Sequence, residues 1–332
     1  MDMAFSNDPT AAAAAAVAMR AVTGAGSAAL GAPRASVIIP HLNTPELLVK
    51  CLQSVASQRL DRGWFEIIVV DNGSRVRLDV VAAAWTGVTF LREPEPGPGP
   101  ARNLGAARAR GRVLAFVDAD IRVAPDWLLR GINAVERDAS RPYGGDVRID
   151  FDSPDDPSGI EAFEAVFSFR QKMYIRRKGF SGTGNLMVDR DLFAKVGPFG
   201  PIGTAEDAAW GRKAKAMGHP TRYIPRMIVF HPARITGADL EARWGRLIAH
   251  DFGKHTSAGK PILFWHMRAY AVILSAAVHV PKLLMSRRVP SIRSRFRGVV
   301  VLFQNRWYRF TKMRQMAREG HQDTAMQWNR TP

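Results

Sequence analysis

The chain has 332 residues, 46% of them hydrophobic, which is typical of one large α/β domain with an appendage or of two ordinary globular domains. Its single cysteine, Cys51, excludes an intrachain disulfide and a cysteine-based zinc site, and it favours a reducing compartment. Cys51 lies among leucines and is predicted to be a buried apolar residue. The formal net charge of +17 favours anionic partners: nucleic acid, anionic lipid or phosphate-bearing ligands.

The two ends of the chain differ in composition. Residues 281–332 contain twelve Lys and Arg against two Asp and Glu, so ten of the seventeen net charges lie there. Residues 1–33 are rich in Ala and Gly and lack the basic start of a signal peptide, and they are predicted to be a flexible leader. A nominal dinucleotide fingerprint at residues 24–29 follows no strand, which favours a chance match.

Strands and helices alternate through the first half of the chain. Residues 35–40 and 65–70 are short, β-branched apolar runs, and both are predicted to be buried strands. The helix between them is expected to begin with Thr44 as a hydroxyl N-cap and Pro45 at the first helical position, which makes a parallel βαβ unit. The next predicted elements are a strand at 88–92, a rigid proline-glycine loop at 93–100, a helix at 101–110, a strand at 113–117 and a helix at 125–138.

The pattern is looser in the following hundred residues. The predicted elements there are a strand at 144–151, a helix at 160–176, a strand at 184–188, a helix at 205–217 and a short strand at 227–230. This alternation predicts an α/β fold, with a layered sheet and helices on both faces.

Carboxylates follow two of the predicted strands. Asp118 and Asp120 come directly after the strand at 113–117, where open α/β sheets bind ligands. Two carboxylates one residue apart can share Mg²⁺ or Mn²⁺, which can bridge the phosphates of a nucleotide; the alternative is a solvated turn with two exposed acids. Asp71 ends the strand at 65–70 and can bind a base or a ribose, or can simply form a turn.

Four motifs, in this order and spacing, resemble those of family 2 glycosyltransferases of the GT-A fold. They are Ser36-Val-Ile-Ile-Pro40, Val69-Val-Asp71-Asn-Gly-Ser74, Pro100-Ala-Arg102-Asn103-Leu-Gly105 and Phe116-Val-Asp118-Ala-Asp120. The resemblance covers roughly residues 34–233. It implies a Rossmann-like nucleotide-diphospho-sugar transferase sheet, and an enzyme that moves a sugar from a nucleotide-diphosphate donor to an acceptor.

The resemblance also implies roles for the candidate site residues. The nucleotide-sugar-binding residues would be Pro40, Asn43, Asp71, Arg102, Asn103 and Asp118, with Asp71 at the base. The metal ligands would be Asp120, Asp118 and His231, although His231 is equally explained as a capping or core histidine. Gly184 and Asn185 belong to a Gly-Thr-Gly-Asn loop that would border the donor sugar and the acceptor.

Glu206 and Asp207 resemble the acidic pair that begins a helix beside the acceptor in this family. Asp207 would then be the general base that takes the proton of the acceptor hydroxyl as it attacks the anomeric carbon. One base without a second nucleophile fits a single displacement and therefore inversion. Without the upstream motifs, two acids at a helix N-terminus would be explained by the helix dipole alone.

A catalytic domain is predicted at 34–235, and a basic, amphipathic helical region at 236–332. The cleanly apolar part of the latter, residues 269–278, is shorter than the ~20 residues of a bilayer span. For this segment we therefore rank a helix lying in the membrane interface above a helix packed within the protein, and both above a helix that spans the membrane. Gln304-Asn-Arg306-Trp307 resembles the Gln-x-x-Arg-Trp motif of processive polysaccharide synthases but is one residue short, so transfer of a single sugar is predicted.

The predicted partners are a nucleotide-diphosphate sugar and a saccharide or lipid-linked acceptor, as in polysaccharide biosynthesis. Uridine diphosphate is the first expectation, and guanosine and thymidine diphosphates stay open. The basic, aromatic C-terminal region predicts peripheral attachment to an anionic membrane, on the inner face of the cell membrane in the cytoplasm, and no nucleic acid.

Parts of the sequence also fit other classes of protein. The alternative is a basic membrane-surface or nucleic-acid-binding protein with a non-catalytic nucleotide-binding α/β domain, since Trp307 and Tyr308 lie among arginines. An NAD-linked enzyme and a nucleotidyltransferase are disfavoured, because residues 40–45 do not form the glycine-rich turn that either would need after the first strand.

Overall fold

The computed structural model describes residues 32–319. The predicted leader, except for its last two residues, and the final thirteen residues of the chain lie outside the described residues. The described chain forms two compact units. The first contains the residues up to Val147 together with Gln171–Phe230, and the second contains Arg148–Arg170 together with the residues from His231 onward. The second segment of the second unit begins at His231, close to the predicted boundary at 235/236, whereas its first segment was predicted to belong to the catalytic domain.

An eight-stranded mixed sheet organises the first unit. In chain order its strands are β1 (Ala35–His41), β2 (Phe65–Asp71), β3 (Val88–Arg92), β4 (Val113–Phe116), β5 (Arg122–Val123), β6 (Tyr143–Asp150), β7 (Leu186–Asp189) and β8 (Arg222–Pro232). Their order in the sheet is β3-β2-β1-β4-β7-β6-β8-β5. The four strands β1 to β4 are mutually parallel, whereas β7 is antiparallel to both β4 and β6.

The helices, in chain order, are α1 (Pro45–Ala56), α2 (Asp79–Ala84), α3 (Pro98–Arg108), α4 (Trp127–Arg137), α5 (Gly159–Phe167), α6 (Arg190–Val196), α7 (Glu206–Ala216), α8 (Gly237–Ser257), α9 (Ile262–Leu284) and α10 (Ile292–Glu319). The predicted α/β class is confirmed, with helices on both faces of the sheet. Leu186 and Val188 of β7 share one buried cluster with residues of α6 and α7, whereas Met187 lies against Gly131 of α4 on the opposite face.

Two helix predictions were wrong in extent. Helix α3 begins at Pro98, inside the predicted rigid loop, because a proline in the first helical turn needs no N–H and already has a helical φ. The single helix predicted at 160–176 is interrupted: α5 ends at Phe167, Ser168 is extended and Phe169 has a φ of 46°. Helical structure resumes over Gln171–Met173 and continues as a π-helix over Tyr174–Lys178. Helix α1 begins where predicted, but the Thr44 hydroxyl makes no capping hydrogen bond.

Helix α3 lies very close to the sheet. A Cβ atom on Gly105 would lie 2.5 Å from Cγ2 of Ile38 in β1, so only glycine permits this approach. Ile38, Phe116, Phe199 and Trp210 belong to the buried cluster beneath the helix. The close packing places Arg102 and Asn103, one turn earlier on α3, near the ends of the central strands.

The second unit is helical. Trp265 of α9, Phe252 of α8, and Phe310 and Met313 of α10 form a buried cluster, in which the Trp265 indole donates a hydrogen bond of 2.9 Å to the Met313 carbonyl oxygen. Within residues 32–319, α9 is the one helix long and apolar enough to cross a membrane by length and composition, with 17% of its most apolar window buried in the protein. The helix has 23 residues, so the predicted length limit does not exclude a span.

Candidate active site

Three polar turns follow adjacent parallel strands at one edge of the sheet. His41 and Asp71 end β1 and β2 as register partners, and Pro40 is paired with Val70 one step earlier. Asp118 and Asp120 follow β4, which pairs with the other side of β1. Because the carboxyl ends of parallel strands lie on the same side, these residues flank one edge of the sheet.

Asn43 connects the first two turns. It has a φ of 57°, its backbone N–H donates to Ser74 Oγ (2.9 Å), and its Oδ1 accepts from the backbone N–H of Arg75 (2.8 Å). A short polar side chain tolerates this left-handed conformation. The structure therefore gives Asn43 a role in fixing the two turns, and the predicted contact of Asn43 with the nucleotide stays a prediction.

His41, which belongs to no sequence motif, is buried beneath the same turns. Its Nε2 accepts from the backbone N–H of Thr44 (3.1 Å), so the ring hydrogen is assigned to Nδ1, which lies 3.2 Å from Ser74 Oγ and 3.5 Å from Asp71 Oδ1. Burial lowers the pKa of His41, although the hydrogen bond and charge of Asp71 oppose this. A neutral ring that donates toward Asp71 holds the carboxylate in one orientation.

Asn72 is a second buried residue that the sequence analysis did not single out. Its Oδ1 accepts from the Gly97 N–H (2.7 Å), and its Nδ2 donates to the carbonyl oxygens of Glu93 (3.2 Å) and Glu95 (2.7 Å). The side chain thus holds the proline-glycine loop that leads into α3. A buried amide with partners on both of its polar atoms fixes the position of its surroundings.

Arg102 lies at the centre of the candidate site. Its side chain is 5% exposed, and its two terminal nitrogens donate to Asp118 Oδ1 (2.6 Å) and to Glu206 Oε1 (3.1 Å). Burial opposes the charged form, but the carboxylates of Asp118 and Glu206 raise the pKa of Arg102 above its usual value. One guanidinium therefore joins the turn after β4 to the start of α7, two segments that are far apart in the sequence.

Asp207 follows Glu206 in the first turn of α7, after Ala205, which has a φ of 48°. Burial and the neighbouring charge of Glu206 raise the pKa of Asp207 to about 6, against a hydrogen bond from the Ala208 N–H (2.6 Å) and the charge of Arg102. A carboxylate whose pKa is close to neutral pH is suited to proton transfer.

The loop before β7 lies against both acidic groups. A Cβ atom on Gly184 would lie 2.7 Å from Asp118 Oδ2, and one on Gly182 would lie 3.8 Å from Asp207 Oδ2. Gly184 therefore lets the backbone pass close to the Asp118 carboxylate, whereas the Gly182–Asp207 distance is an ordinary contact. Gln171, which belongs to no sequence motif, fixes this loop because its Oε1 accepts from the Gly182 N–H (3.0 Å).

Two amides predicted near the donor are bonded within the protein. Asn185 is fully buried: its Oδ1 accepts from the Trp127 indole (2.9 Å), and its Nδ2 donates to the carbonyl oxygens of Asp146 and Met227 (3.0 Å each). Asn103 accepts from the N–H of Phe199 and donates to its carbonyl oxygen, both at 2.9 Å. The bonds give both amides a structural role, and direct contact with the donor stays a prediction for each.

The turn after β4 concentrates negative charge. Burial, followed by the charges of Asp120 and Asp118, raises the pKa of the Cys51 thiol, and the predicted burial of Cys51 is confirmed. Among residues 32–319, no group of three or more His, Cys, Asp or Glu is arranged to hold a metal ion. Two carboxylates suffice where phosphate oxygens and water supply the other ligands of a hard cation.

His231 belongs to the second unit. Its Nδ1 lies 2.7 Å from the Pro232 carbonyl oxygen, and its ring centroid lies 4.4 Å from that of Phe169. These local contacts fit the core interpretation of this histidine. Its role as a metal ligand stays a prediction.

Comparisons with known proteins agree with the geometry of the first unit. The sequence profile described as Glycosyl transferase family 2 matches residues 36–197. Glycosyltransferase AglE of Haloferax volcanii is 32% identical over 218 residues, which cover 64% of this chain and 71% of AglE. The uncharacterized glycosyltransferase YfnE of Bacillus subtilis is 35% identical over 109 residues, which cover 32% of this chain and 28% of YfnE.

The fold also matches a solved structure. The mannosyltransferase PcManGT from Pyrobaculum calidifontis, in complex with GDP-Man and Mn²⁺, superposes with a TM-score of 0.56 at 17% sequence identity, over 95% of this chain and 97% of that one. Given this fold, the profile match and the extent of the similarity to AglE, the chain belongs to glycosyltransferase family 2 and is a glycosyltransferase with a GT-A fold.

Proposed function

We propose that the enzyme transfers a single sugar from a nucleoside diphosphate sugar to a hydroxyl group of a saccharide or lipid-linked acceptor, with inversion at the anomeric carbon. The observation that carries the proposal is the pairing of Arg102 with both Asp118 and Glu206. This pairing brings the acids after β4, on the predicted donor side, together with the helix that carries the candidate base Asp207.

On the donor side, Asp118 and Asp120 would hold Mn²⁺ or Mg²⁺. The residues fit such an ion, because both are hard oxygen ligands and the missing side chain of Gly184 leaves room beside Asp118 Oδ2. A divalent ion bound there supplies Lewis-acid neutralisation of the charge on the departing nucleoside diphosphate. The Mn²⁺ and GDP-Man bound by PcManGT support a metal and a nucleotide sugar, and leave guanosine open beside uridine and thymidine.

On the acceptor side, Asp207 is the proposed general base. A carboxyl group with a pKa of about 6 is mostly ionised at neutral pH and can accept the hydroxyl proton as the hydroxyl attacks. Glu206, predicted together with Asp207 as catalytic, is paired with Arg102 and is better suited to positioning. A single displacement with one base leads to inversion.

The nucleotide is proposed to lie along the ends of β1 and β2. The Nδ1 of His41 faces Asp71 Oδ1, which also accepts from the Ser74 N–H, and Asn43 is hydrogen-bonded to the same turn. The Asp71 carboxylate is therefore preorganised to accept hydrogen bonds from a base. The acceptor class and a location at the inner face of the cell membrane rest on the basic second unit, and they are part of the proposal.

Donor binding tests the proposal most directly. We would titrate uridine, guanosine and thymidine diphosphates and their sugars by calorimetry, with and without Mn²⁺, into wild type and Asp120→Ala. Metal-dependent binding of one nucleotide, lost in Asp120→Ala, is expected. Asp191→Ala, which removes an exposed acid of the same unit, is the matched control and should bind as wild type does.

Two outcomes would contradict the proposal. Folded wild type that binds none of these nucleotides would favour a non-catalytic protein with a basic binding surface. If transfer is observed, NMR of the product gives the anomeric configuration, and retention would exclude the single displacement.

A further inference from the structure

Helix α9 is apolar on its outward face as well as on its buried one. The outward residues recur every three or four positions, at Leu263, Met267, Tyr270, Leu274 and Val278. Leu274 is 71% exposed and Val278 is 76% exposed. The buried face of the same helix carries Trp265, Ala269, Ala276 and Leu283. A helix on the surface of a water-soluble domain normally has a polar outward face.

Helix α10 repeats this pattern beside it. Its exposed apolar residues are Ile292, Phe296, Val300, Phe303 and Trp307, again at helical spacing. The two helices pack against each other within the second unit: Tyr270 and Phe310 have ring centroids 5.2 Å apart, and a Cβ on Gly298 would lie 3.1 Å from Leu283. These ten outward residues form what we call the α9–α10 face.

The face lies in the most basic part of the described chain. Residues 262–319 contain twelve Lys and Arg and a single acid, Glu319. Arg287 and Arg293 are exposed at the junction of the two helices, where the face begins on α10. Arg309 lies 3.9 Å over the Trp244 ring, and the Nε atoms of Arg306 and Arg309 have no hydrogen-bond partner among the described residues. Arg268 and Arg297 pair with Asp251 and Asp156 of the same unit, and the remaining excess of positive charge favours an anionic partner.

We infer that the α9–α10 face docks on the surface of an anionic phospholipid bilayer, with both helices lying in the plane of the interface. The apolar side chains would enter the boundary between headgroups and acyl chains, and the arginines would reach lipid phosphates. This inference assigns the contact surface of the second unit, and it does not depend on the sugar-transfer chemistry.

The charges favour this partner over two others. A second copy of the chain seated on the face would bring the arginines of both copies together, and like charges repel. A membrane span by α9 would draw the adjoining α10, with Arg306 and Arg309 in its middle, toward the bilayer core, where arginine is costly. A helix pair lying flat satisfies both the apolar and the basic groups.

Vesicle flotation of the full-length protein tests the inference. Wild type is expected to float with vesicles of phosphatidylcholine and phosphatidylglycerol, and much less with phosphatidylcholine alone. The double variant L274D/V278D should bind at least about tenfold more weakly, because two apolar contacts are replaced by charges that repel the lipid. Val80→Asp is the matched control: Val80 is 82% exposed on α2 of the first unit, and its replacement should leave binding unchanged.

The basic residues are tested separately. Each of Arg287→Gln and Arg293→Gln should weaken binding to the anionic vesicles by on the order of fivefold, and added salt should weaken binding by wild type. Circular dichroism checks that each variant is folded. These substitutions lie at exposed positions, so they provide a second, independent reading if the double variant does not fold.

Four results would overturn the inference. They are flotation that L274D/V278D does not change, wild-type protein that resists alkaline carbonate extraction as a spanning protein does, a concentration-dependent dimer that L274D/V278D abolishes, and duplex DNA binding that competes with vesicles for the same face. Vesicle binding by Asp120→Ala, together with nucleotide binding by L274D/V278D, would show that the surface and the proposed activity succeed or fail independently.

Discussion

The buried asparagines of the two units differ in their hydrogen bonding. In the first unit, Asn72 and Asn185 have partners on both polar atoms, and Arg102 is held between two acids. In the second unit, neither polar atom of the buried Asn305 has a partner among the described residues, whereas the Nε atoms of Arg102 and Arg306 are alike in having none. Paired side chains around the candidate site hold the geometry that catalysis requires, whereas an apolar exterior suits contact with another phase.

The exposed surfaces differ in the same way. Large exposed hydrophobic residues of the first unit, such as Trp64, Val80 and Met217, are scattered in the sequence. Most of those of the second unit recur along the two packed helices α9 and α10. Scattered apolar residues need no explanation, but a continuous patch marks a contact surface. The contrast fits the two proposals, catalysis by the first unit and membrane attachment by the second.

Removing the candidate base should have the largest effect. Asp207→Asn is expected to lower the transfer rate by about 10² to 10⁴-fold, the usual contribution of general base catalysis, while donor binding stays at the wild-type level. Steady-state kinetics and calorimetry measure the two quantities. Asp191→Asn, an exposed acid of the same unit, is the control. An unchanged transfer rate in Asp207→Asn would contradict the proposed catalytic role of this residue in the first unit.

The central arginine comes next. Arg102→Met leaves the carboxylates of Asp118 and Glu206 without their partner and should lower the free energy of unfolding by about 3 kcal/mol, the low end for a broken buried pair, since Asp118 is 35% exposed. Denaturant unfolding measures this. Arg112→Met removes the exposed partner of Asp189 and should leave stability nearly unchanged. Equal losses of stability in the two variants would mean that the ion pairs of Arg102 contribute no more than an exposed ion pair does.

A matched pair of asparagines tests the contrast between the units themselves. Asn185→Leu leaves the Trp127 indole N–H and two carbonyl oxygens without hydrogen-bond partners. It should lower the free energy of unfolding by about 2 to 4 kcal/mol. Asn305→Leu breaks no hydrogen bond seen among the described residues. It should lower the free energy of unfolding by less than about 1 kcal/mol, or even raise it. Scanning calorimetry of both variants measures the difference. A large loss for Asn305→Leu would show that its amide has a partner after all.

The pH dependence should show the smallest effect. Because the base acts when ionised and its pKa is raised to about 6, kcat/KM should be level above pH 6 and fall about tenfold per pH unit below it. Glu206→Gln should move this limb to lower pH, since the charge of Glu206 is the second cause of the raised pKa after burial. The pH–rate profiles of wild type, Glu206→Gln and Asp191→Asn check this. A limb that stays in place in Glu206→Gln would indicate a different titrating group.

Prediction from the sequence succeeded where signals are local. The apolar runs of β1, β2 and β4, each with polar residues at its end, have a period and a composition that do not depend on the rest of the chain. Prediction was less accurate where contacts between distant segments set the ends of an element. Strand β8 has 11 residues, far more than the four predicted, and the helix predicted at 160–176 is interrupted after Phe167 as the chain passes toward the other unit.

The candidate site divides in the same manner. His41 and Gln171 carry no motif, and their positions became evident only from their hydrogen bonds to Ser74 and Gly182. Asn185 was singled out by its motif, but its three partners lie on three distant segments, so its structural role could not be read from its neighbours in the sequence.

By itself, the sequence determined the α/β class, the order of the motifs and the family, because strand periodicity, turn residues and strand-end carboxylates are local features. Tertiary structure alone decided which charges meet: Arg102 between Asp118 and Glu206, His41 beneath Asp71, and the apolar stripes of α9 and α10 side by side. Such contacts join residues that are distant along the chain, and their energies depend on burial and distance, which only the folded chain defines.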